Sequence, residues 1–301
     1  MSLNGRNLLL IGGSGFVSGT LAEMAVAAGA SVWAVTRGQR PLADGITPIV
    51  VDRTDRAAFA EAIAAAKVSW DLAVDCIGFT PEDAEQDLAT LTGRAAHLVF
   101  ISSDFVYDPQ TRTFPQPEKD AHYLTEGYGG RKRQAELVLA DADGRLPWTV
   151  LRPCHIYGPG SRLGCLPEHG RDPDLIDRIR RGEPLRLVGG GHFLQQPILA
   201  ADLARTILSC VDNSAAQGGI FNAAGPDIAE SRRYYEIIGE ILGEPVQIEE
   251  IPVDVYAAAH PDRASFLCHR IYDLGGLARS GLAVPATGLI EGLRGHVESL
   301  L

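Results

Sequence analysis

Tyr128 and Lys132 stand about one helical turn apart in Tyr128-Gly129-Gly130-Arg131-Lys132, at the start of a helix predicted over 126–141, so both side chains fall on one face. An ammonium beside a phenol lowers the phenol pKa, which suits Tyr to exchanging a proton with a hydroxyl or carbonyl near neutral pH. Ser103, in Val99-Phe100-Ile101-Ser102-Ser103-Asp104-Phe105-Val106-Tyr107, falls at the carboxyl end of a predicted strand and could hydrogen-bond the same oxygen. Taken alone, such spacing is as compatible with coincidence as with chemistry.

A second signal lies near the start of the chain. Leu10-Ile11-Gly12-Gly13-Ser14-Gly15-Phe16-Val17-Ser18-Gly19 reads as a strand, a glycine turn and a helix start in that order. Glycine lets backbone approach a pyrophosphate, and the helix that follows offers free N–H groups and the positive end of its dipole. A plain tight turn is the alternative. Ser18 holds the place of the third glycine of the dinucleotide fingerprint, a packing position that a small side chain fits. The second predicted strand ends in Thr36-Arg37, where an NAD site usually carries Asp or Glu and Arg suits a 2′-phosphate. NADP is therefore the expected cofactor, with NAD open and a solvated loop arginine as the alternative reading of Arg37. Asp52, after the third strand, could accept from the adenine amino group.

These residues need a scaffold, and the hydrophobic pattern describes one. Short apolar runs at 8–11, 31–35, 47–51, 72–76, 97–101 and 148–151 alternate with helical patterns at 15–28, 57–67, 82–92 and 126–141. Strands apolar on both faces imply helices on each side, hence a doubly wound Rossmann-type α/β fold with a parallel sheet. Beyond Arg152 the alternation fades, with helices predicted at 173–181, 201–211 and 232–242 and one returning strand at 219–222. The expected division is a dinucleotide-binding domain over 1–155 and about 196–224, with a smaller C-terminal substrate lobe over about 156–195 and 225–301.

Composition narrows the function. Hydrophobic residues make up 46% of the 301 and charged residues 22%, with mean hydropathy +0.02, an ordinary globular balance that excludes disorder as the main state. Lys and Arg number 27 against 38 Asp and Glu, and a net charge of −11 repels a phosphodiester backbone, so no nucleic-acid partner is expected. The five cysteines, Cys76, Cys154, Cys165, Cys210 and Cys268, lack metal-ligand spacing and imply reduced thiols and no metal site. No apolar run is long enough to span a bilayer and no signal-peptide pattern is present, so the expectation is a cytoplasmic protein without a membrane partner.

Taken in order, the segments Gly12-Gly13-Ser14-Gly15-Phe16, Asp52, Ser102-Ser103 with Val106-Tyr107, Tyr128/Lys132, Leu151-Arg152-Pro153 with Tyr157-Gly158-Pro159, and Asp202-Leu203-Ala204 resemble the short-chain dehydrogenase/reductase superfamily. The resemblance is to its extended branch, the NAD-dependent epimerase/dehydratase family, and spans almost the whole chain. It implies that Tyr128 is the catalytic acid/base, that Lys132 holds the nicotinamide ribose and lowers the Tyr pKa, and that Ser103 orients the substrate oxygen. Gly12, Gly13, Ser14, Gly15, Phe16 and Val17 would follow the pyrophosphate. Thr36, Arg37, Asp52 and Arg53 would face the adenosine, with Cys76, Ile77 and Gly78 lining that side. Ile101, Ser102, Pro153, Cys154, His155 and Ile156 would surround the nicotinamide; local hydrogen bonding in a packed loop is the alternative for His155. A homodimer through the helices at 82–92 and 126–141 is likewise implied.

The resemblance also discriminates among activities on small-molecule substrates. Sugar-nucleotide dehydratases follow the residue at Asp104 with a Glu base, whereas this chain has Phe105, which cannot accept a proton. Ser102 to Asp108 is closer to the nucleotide-sugar 4-keto reductases, so an oxidoreductase or epimerase acting on a secondary alcohol or ketone of a sugar or nucleotide-sugar-like substrate is expected. Asp104, Phe105 and Gln195 are the expected substrate contacts. Gln195 stands where sugar-nucleotide members place an Arg on the diphosphate, and its neutral amide cannot supply the charge-assisted pairing of a guanidinium. Arg162, Arg171, Arg178, Arg232, Arg233, Arg263 or Arg270 could substitute, each also readable as a solvated surface charge. A non-catalytic NADP-binding regulator or sensor of the same fold is the competing reading.

Overall fold

The structure is a computed structural model describing residues 2–142, 144–165 and 167–301. Strand β1 (Asn7–Ile11) shows how the apolar runs become a two-faced sheet. Leu8 and Leu10 join the core on one side, Leu9 and Ile11 the core on the other, because successive side chains of a strand point to opposite faces. The strands β2 (Ser31–Thr36), β3 (Ile46–Val50), β4 (Leu72–Asp75), β5 (Leu98–Ile101) and β6 (Trp148–Pro153) follow; all but the edge strand β3, in which only Ile49 is buried, repeat this arrangement. Four short strands follow, β7 (Ile156–Tyr157), β8 (Leu185–Val188), β9 (Leu194–Gln195) and β10 (Ile198–Leu199). Strand β11 (Gly219–Ala223) then returns to the main sheet, ahead of β12 (Ala229–Glu230) and β13 (Ile248–Ile251).

The main sheet is seven-stranded, in the order β11-β6-β5-β4-β1-β2-β3, with every neighbouring pair parallel. Its order reverses beside β1, which opens a crevice at the carboxyl ends of β1 and β4, the usual ligand position in such sheets.

Helices α1 (Phe16–Ala27), α2 (Arg56–Ala65), α3 (Pro81–Leu91) and α4 (Gly127–Ala140) connect the first strands, and α5 (Leu175–Arg180) and α6 (Ala200–Leu208) follow. Leu21 and Ala25 of α1 and Leu203 and Ile207 of α6 cover one face; Phe59 of α2, Leu88 of α3 and Leu139 of α4 cover the other. The doubly wound expectation and all seven sheet strands stand, with ends shifted by one or two residues. Among the described residues no helix is long and apolar enough to cross a membrane.

The remaining helices are α7 (Ser231–Leu242), α8 (Val253–Ala259), α9 (Gly275–Arg279) and α10 (Leu289–Glu298). A separate core joins Leu175 and Ile179, Leu185 and Leu187, Tyr234 and Ile238, and Leu289, Leu293 and Val297. Helix α10 is absent from the sequence expectation although Leu289, Leu293 and Val297 recur at helical spacing. The minor strands were not expected either, because two-residue pairings leave no periodic signal.

Leu10 is fully buried at the centre of the sheet. Leu10→Ala should lower the unfolding free energy by about 2–5 kcal/mol in urea titrations; a loss under about 1 kcal/mol would show that this core collapses around the deletion.

Candidate functional site

A cavity of about 530 Å³ opens at the carboxyl ends of the central strands. It brings together the expected Ser103, Tyr128 and Lys132 with Val17, Ile101, Ser102, Pro153, Cys154, His155 and Ile156. Asp104 and Phe105 also line it, as do Arg171 and Arg270, two of the seven arginines offered as substitutes at the substrate, and Phe79, Gly170 and Phe266, which the sequence reading omitted.

Helix α4 carries Tyr128 and Lys132 to this place because its first turn has no side chains in the way. A Cβ on Gly129 would lie 1.9 Å from the Phe105 carbonyl oxygen, so only glycine lets the helix press against the 104–106 turn. Farther along, Glu136 accepts from Arg152 Nε at 2.9 Å and Nη2 at 2.7 Å, from Ser102 Oγ at 2.6 Å and from Arg133 Nη1 at 2.9 Å. Burial alone would raise the Glu136 carboxyl, yet Arg152, Ser102 and Arg133 hold it below its ordinary value.

Lys132 is 2% exposed, and its Nζ donates to the carbonyl oxygens of Gly78 and Ile101, both at 2.6 Å. The ammonium lies 5.0 Å from the Phe79 ring centroid, 5.1 Å from that of Phe100 and 6.0 Å from that of Tyr128. Burial pushes its pKa down to about 8, against the pull of Asp75. The phenol of Tyr128 moves the other way from expectation. Desolvation raises it, a hydrogen bond to Ser103 opposes the rise and Asp104 adds to it. Ser103 Oγ also accepts from the Phe105 N–H at 3.2 Å.

A second cavity, of about 660 Å³, surrounds the glycine turn and shares Phe79 with the first. Gly12, Gly13, Ser14, Gly15, Thr36, Arg37, Asp52, Arg53 and Ile77 line it as expected, joined by Gln39, Arg40, Thr54 and Asp83. A Cβ on Gly13 would sit 2.4 Å from that of Ala34, so the turn can hug β2 only as glycine and leaves room for a dinucleotide above it. Ser18 Oγ accepts from the Gly15 N–H at 3.1 Å, so the substituted third glycine packs and caps the turn. The fit to a nicotinamide dinucleotide is therefore good: a close-approach turn, a helix N-terminus and exposed arginines at the end of β2.

Several expected contacts lie elsewhere. Cys76 lines the cavity of Ser103 and Tyr128 and not the one around the glycine turn. Gly78 lines neither cavity; a Cβ there would meet Asp75 and Phe100 at 2.3 and 2.4 Å, and its carbonyl seats Lys132. Phe16 is directed toward Gly160, outside both linings. Arg53 reaches the second cavity but is paired with Asp75 at 2.7 Å and Asp87 at 3.1 Å, a buried cluster rather than a free adenosine contact. Gln195 is 3% exposed, pairs with Ala229 across β9 and β12, and lines neither cavity. Asp104 is locked against Arg270 and Tyr272. Arg40 was legible one step beyond Arg37; Phe79, Phe266 and Arg270 carried no local signal.

Residues 8–224 match the family model described as NAD dependent epimerase/dehydratase family. The chain is 25% identical over 235 residues to the chloroplast stem-loop binding protein of 41 kDa b of Arabidopsis thaliana, covering 73% of this chain and 59% of that protein. It is 24% identical over 280 residues to a dTDP-4-dehydro-6-deoxy-D-allose reductase of Streptomyces bikiniensis, covering 82% and 85%. The crystal structure of a UDP-glucose 4-epimerase from Thermotoga maritima with UDP-glucose superposes with a TM-score of 0.80 at 19% identity, over 98% of each chain.

Lys132 gives the site a measurable pH dependence. Its folded pKa of about 8 lies below its ordinary 10.5, so between those values the unfolded chain holds the proton more often and stability rises with pH. The unfolding free energy of wild type relative to Lys132→Met should therefore increase from about pH 8 to about pH 10.5; a flat difference would show that the ammonium is not desolvated.

Proposed function

Since the chain belongs to the NAD dependent epimerase/dehydratase family, we propose that it is an NAD(P)-dependent oxidoreductase or epimerase acting on a secondary alcohol or ketone of a sugar-like substrate, with Tyr128 as acid/base. The observation that carries this is the meeting of Ser103, Tyr128 and Lys132 in one cavity that adjoins the glycine-turn cavity across Phe79. The nicotinamide, when bound, supplies the hydride donor or acceptor. Tyr128 gives its phenolic proton to the ketone oxygen in reduction or takes the hydroxyl proton in oxidation, and Ser103 Oγ hydrogen-bonds that same oxygen. Lys132 has three protons; two are held by carbonyls and one is left for the cavity it lines.

The reductase named among the relatives favours the reductive direction. Dehydration is disfavoured because Phe105 is no base and Asp104 is already engaged. The charge of −11 weighs against the stem-loop binding in the name of the Arabidopsis relative. For the cofactor, Arg37 and Arg40 both stand exposed around the end of β2, a setting for the 2′-phosphate of NADP.

Tyr128→Phe should lower kcat by about 10²–10⁴-fold while NADPH still binds; an unchanged kcat would remove Tyr128 from the mechanism. In fluorescence titrations the wild type should bind NADPH more tightly than NADH, and the Arg37→Ala/Arg40→Ala double variant should lose that preference. A wild type that favours NADH would defeat the NADP assignment.

A further inference from the structure

The boundary between the two cavities is formed by a single exposed ring. Among the described residues Phe79 alone lines both cavities, so a dinucleotide with its pyrophosphate on the glycine turn and its nicotinamide beside Tyr128 has to pass that side chain. Phe79 is 47% exposed, an apolar face left in water at the edge of a site. Its backbone, by contrast, is held firmly. The Phe79 N–H donates to Asp83 Oδ2 at 2.8 Å, and Asp83 Oδ1 stands 3.6 Å from Nε of Arg53, which lines the glycine-turn cavity. Gly78 before it fits only without a Cβ, and Thr80 after it is the N-cap of α3.

The same ring belongs to the shell around the Lys132 ammonium. Nζ donates to the Gly78 and Ile101 carbonyls, and the Phe100 and Phe79 ring centroids stand 5.1 and 5.0 Å from it. Gly78, Ile101 and Phe100 are buried, so Phe79 is the member of this shell that water reaches. Lys132 is nevertheless buried while lining the cavity. An aromatic face attracts an ammonium and keeps water from it at the same time. The ring centroid of Phe79 is also 6.4 Å from that of Tyr128, which places one side chain beside both members of the proposed catalytic pair.

We propose that Phe79 is a positioning residue, an aromatic clasp that shields the Lys132 ammonium from water and packs on the ribose between pyrophosphate and nicotinamide, slowing release of the bound dinucleotide. Binding would cover the exposed face of the ring with the C–H face of the sugar, and the braced backbone keeps the ring from being pushed aside. The proposal rests on the two cavities holding the dinucleotide, as argued above.

The test is Phe79→Ala in the full chain, read in two ways that need no turnover. Without added nucleotide, the Lys132 side chain is followed by NMR against pH, its signal assigned with Lys132→Met. Its midpoint should move up from about 8 toward 10.5 in Phe79→Ala, since Asp75, Cys76, Asp83, Tyr128 and Glu136 around Nζ all remain. In stopped-flow displacement of bound NADPH, or of NADH where that is the form bound, Phe79→Ala should release the nucleotide about tenfold faster or more, with association changed far less. Phe79→Tyr keeps the ring and should stay within about twofold of wild type in the release rate. An unchanged Lys132 midpoint or an unchanged release rate in Phe79→Ala overturns the clasp, as does a Phe79→Tyr protein that loses both properties. Should Phe79→Ala fail to fold, Phe79→Leu takes its place with the same two readouts and the same expected directions. A wild type that binds neither nucleotide overturns the cofactor reading and the clasp together, whereas binding with unchanged release overturns the clasp alone.

Discussion

Glu136 and Arg152 meet where α4 crosses the sheet, neither side chain reaching water, joined by two N–H···O bonds in the bidentate geometry of a guanidinium on a carboxylate. Their remaining capacity is filled by Ser102 and Arg133 on one side and by the Tyr107 hydroxyl at 2.9 Å on the other, which donates in turn to Asn222 Oδ1 at 2.6 Å on β11. A buried pair of this kind is no proof of added stability. Its effect is on register, since sliding the helix along the sheet would strand a charge in the interior. The site inherits that register through neighbours in the chain. Tyr128 and Lys132 lie two turns and one turn before Glu136, Ser103 follows Ser102, and Pro153 to Ile156 follow Arg152.

The other buried charges divide the two cavities between them. The acid-rich cluster around Arg53 ties the chain after β3 to β4 and α3, and so stiffens the floor of the glycine-turn cavity without offering a free cation. Helix α3 begins there with a reciprocal cap, Thr80 Oγ1 accepting from the Asp83 N–H and Asp83 Oδ2 from the Thr80 N–H, which holds Phe79 at the boundary between the cavities. The base-rich cluster at Asp104 lies at the opposite end. Lys132 stands between them, its charge tolerated because two carbonyl dipoles and two aromatic rings replace water around it.

Much of this was readable from residue order. The sheet strands appear as apolar runs because a strand buried on both faces has no polar side to interrupt it. The glycine turn and the Tyr128/Lys132 pair were visible because their geometry is local: a tight turn after a strand, and a helical repeat. Contacts between distant segments were not. Gln195 was assigned by its place before the Asp202 segment, yet β9 turns its side chain into the interior. Arg270 was one of seven arginines readable either as a substrate contact or as a surface charge, and no spacing rule links it to Asp104, which is far away in the chain. The direction of the Tyr128 shift was not legible either, since it follows the burial of the phenol and the nearness of Asp104 and not the spacing to Lys132.

The amino-acid sequence by itself determined the parallel doubly wound sheet, the dinucleotide turn and the helix face that presents Tyr128 and Lys132, since each depends on periodicity or on residues a few positions apart. Only the tertiary structure decided which charges are dry, which are paired and which face a cavity. Those properties belong to the space between elements far apart in the chain, where the burial of Arg112 and Arg270 around the single carboxylate of Asp104 depends on segments joined only by folding.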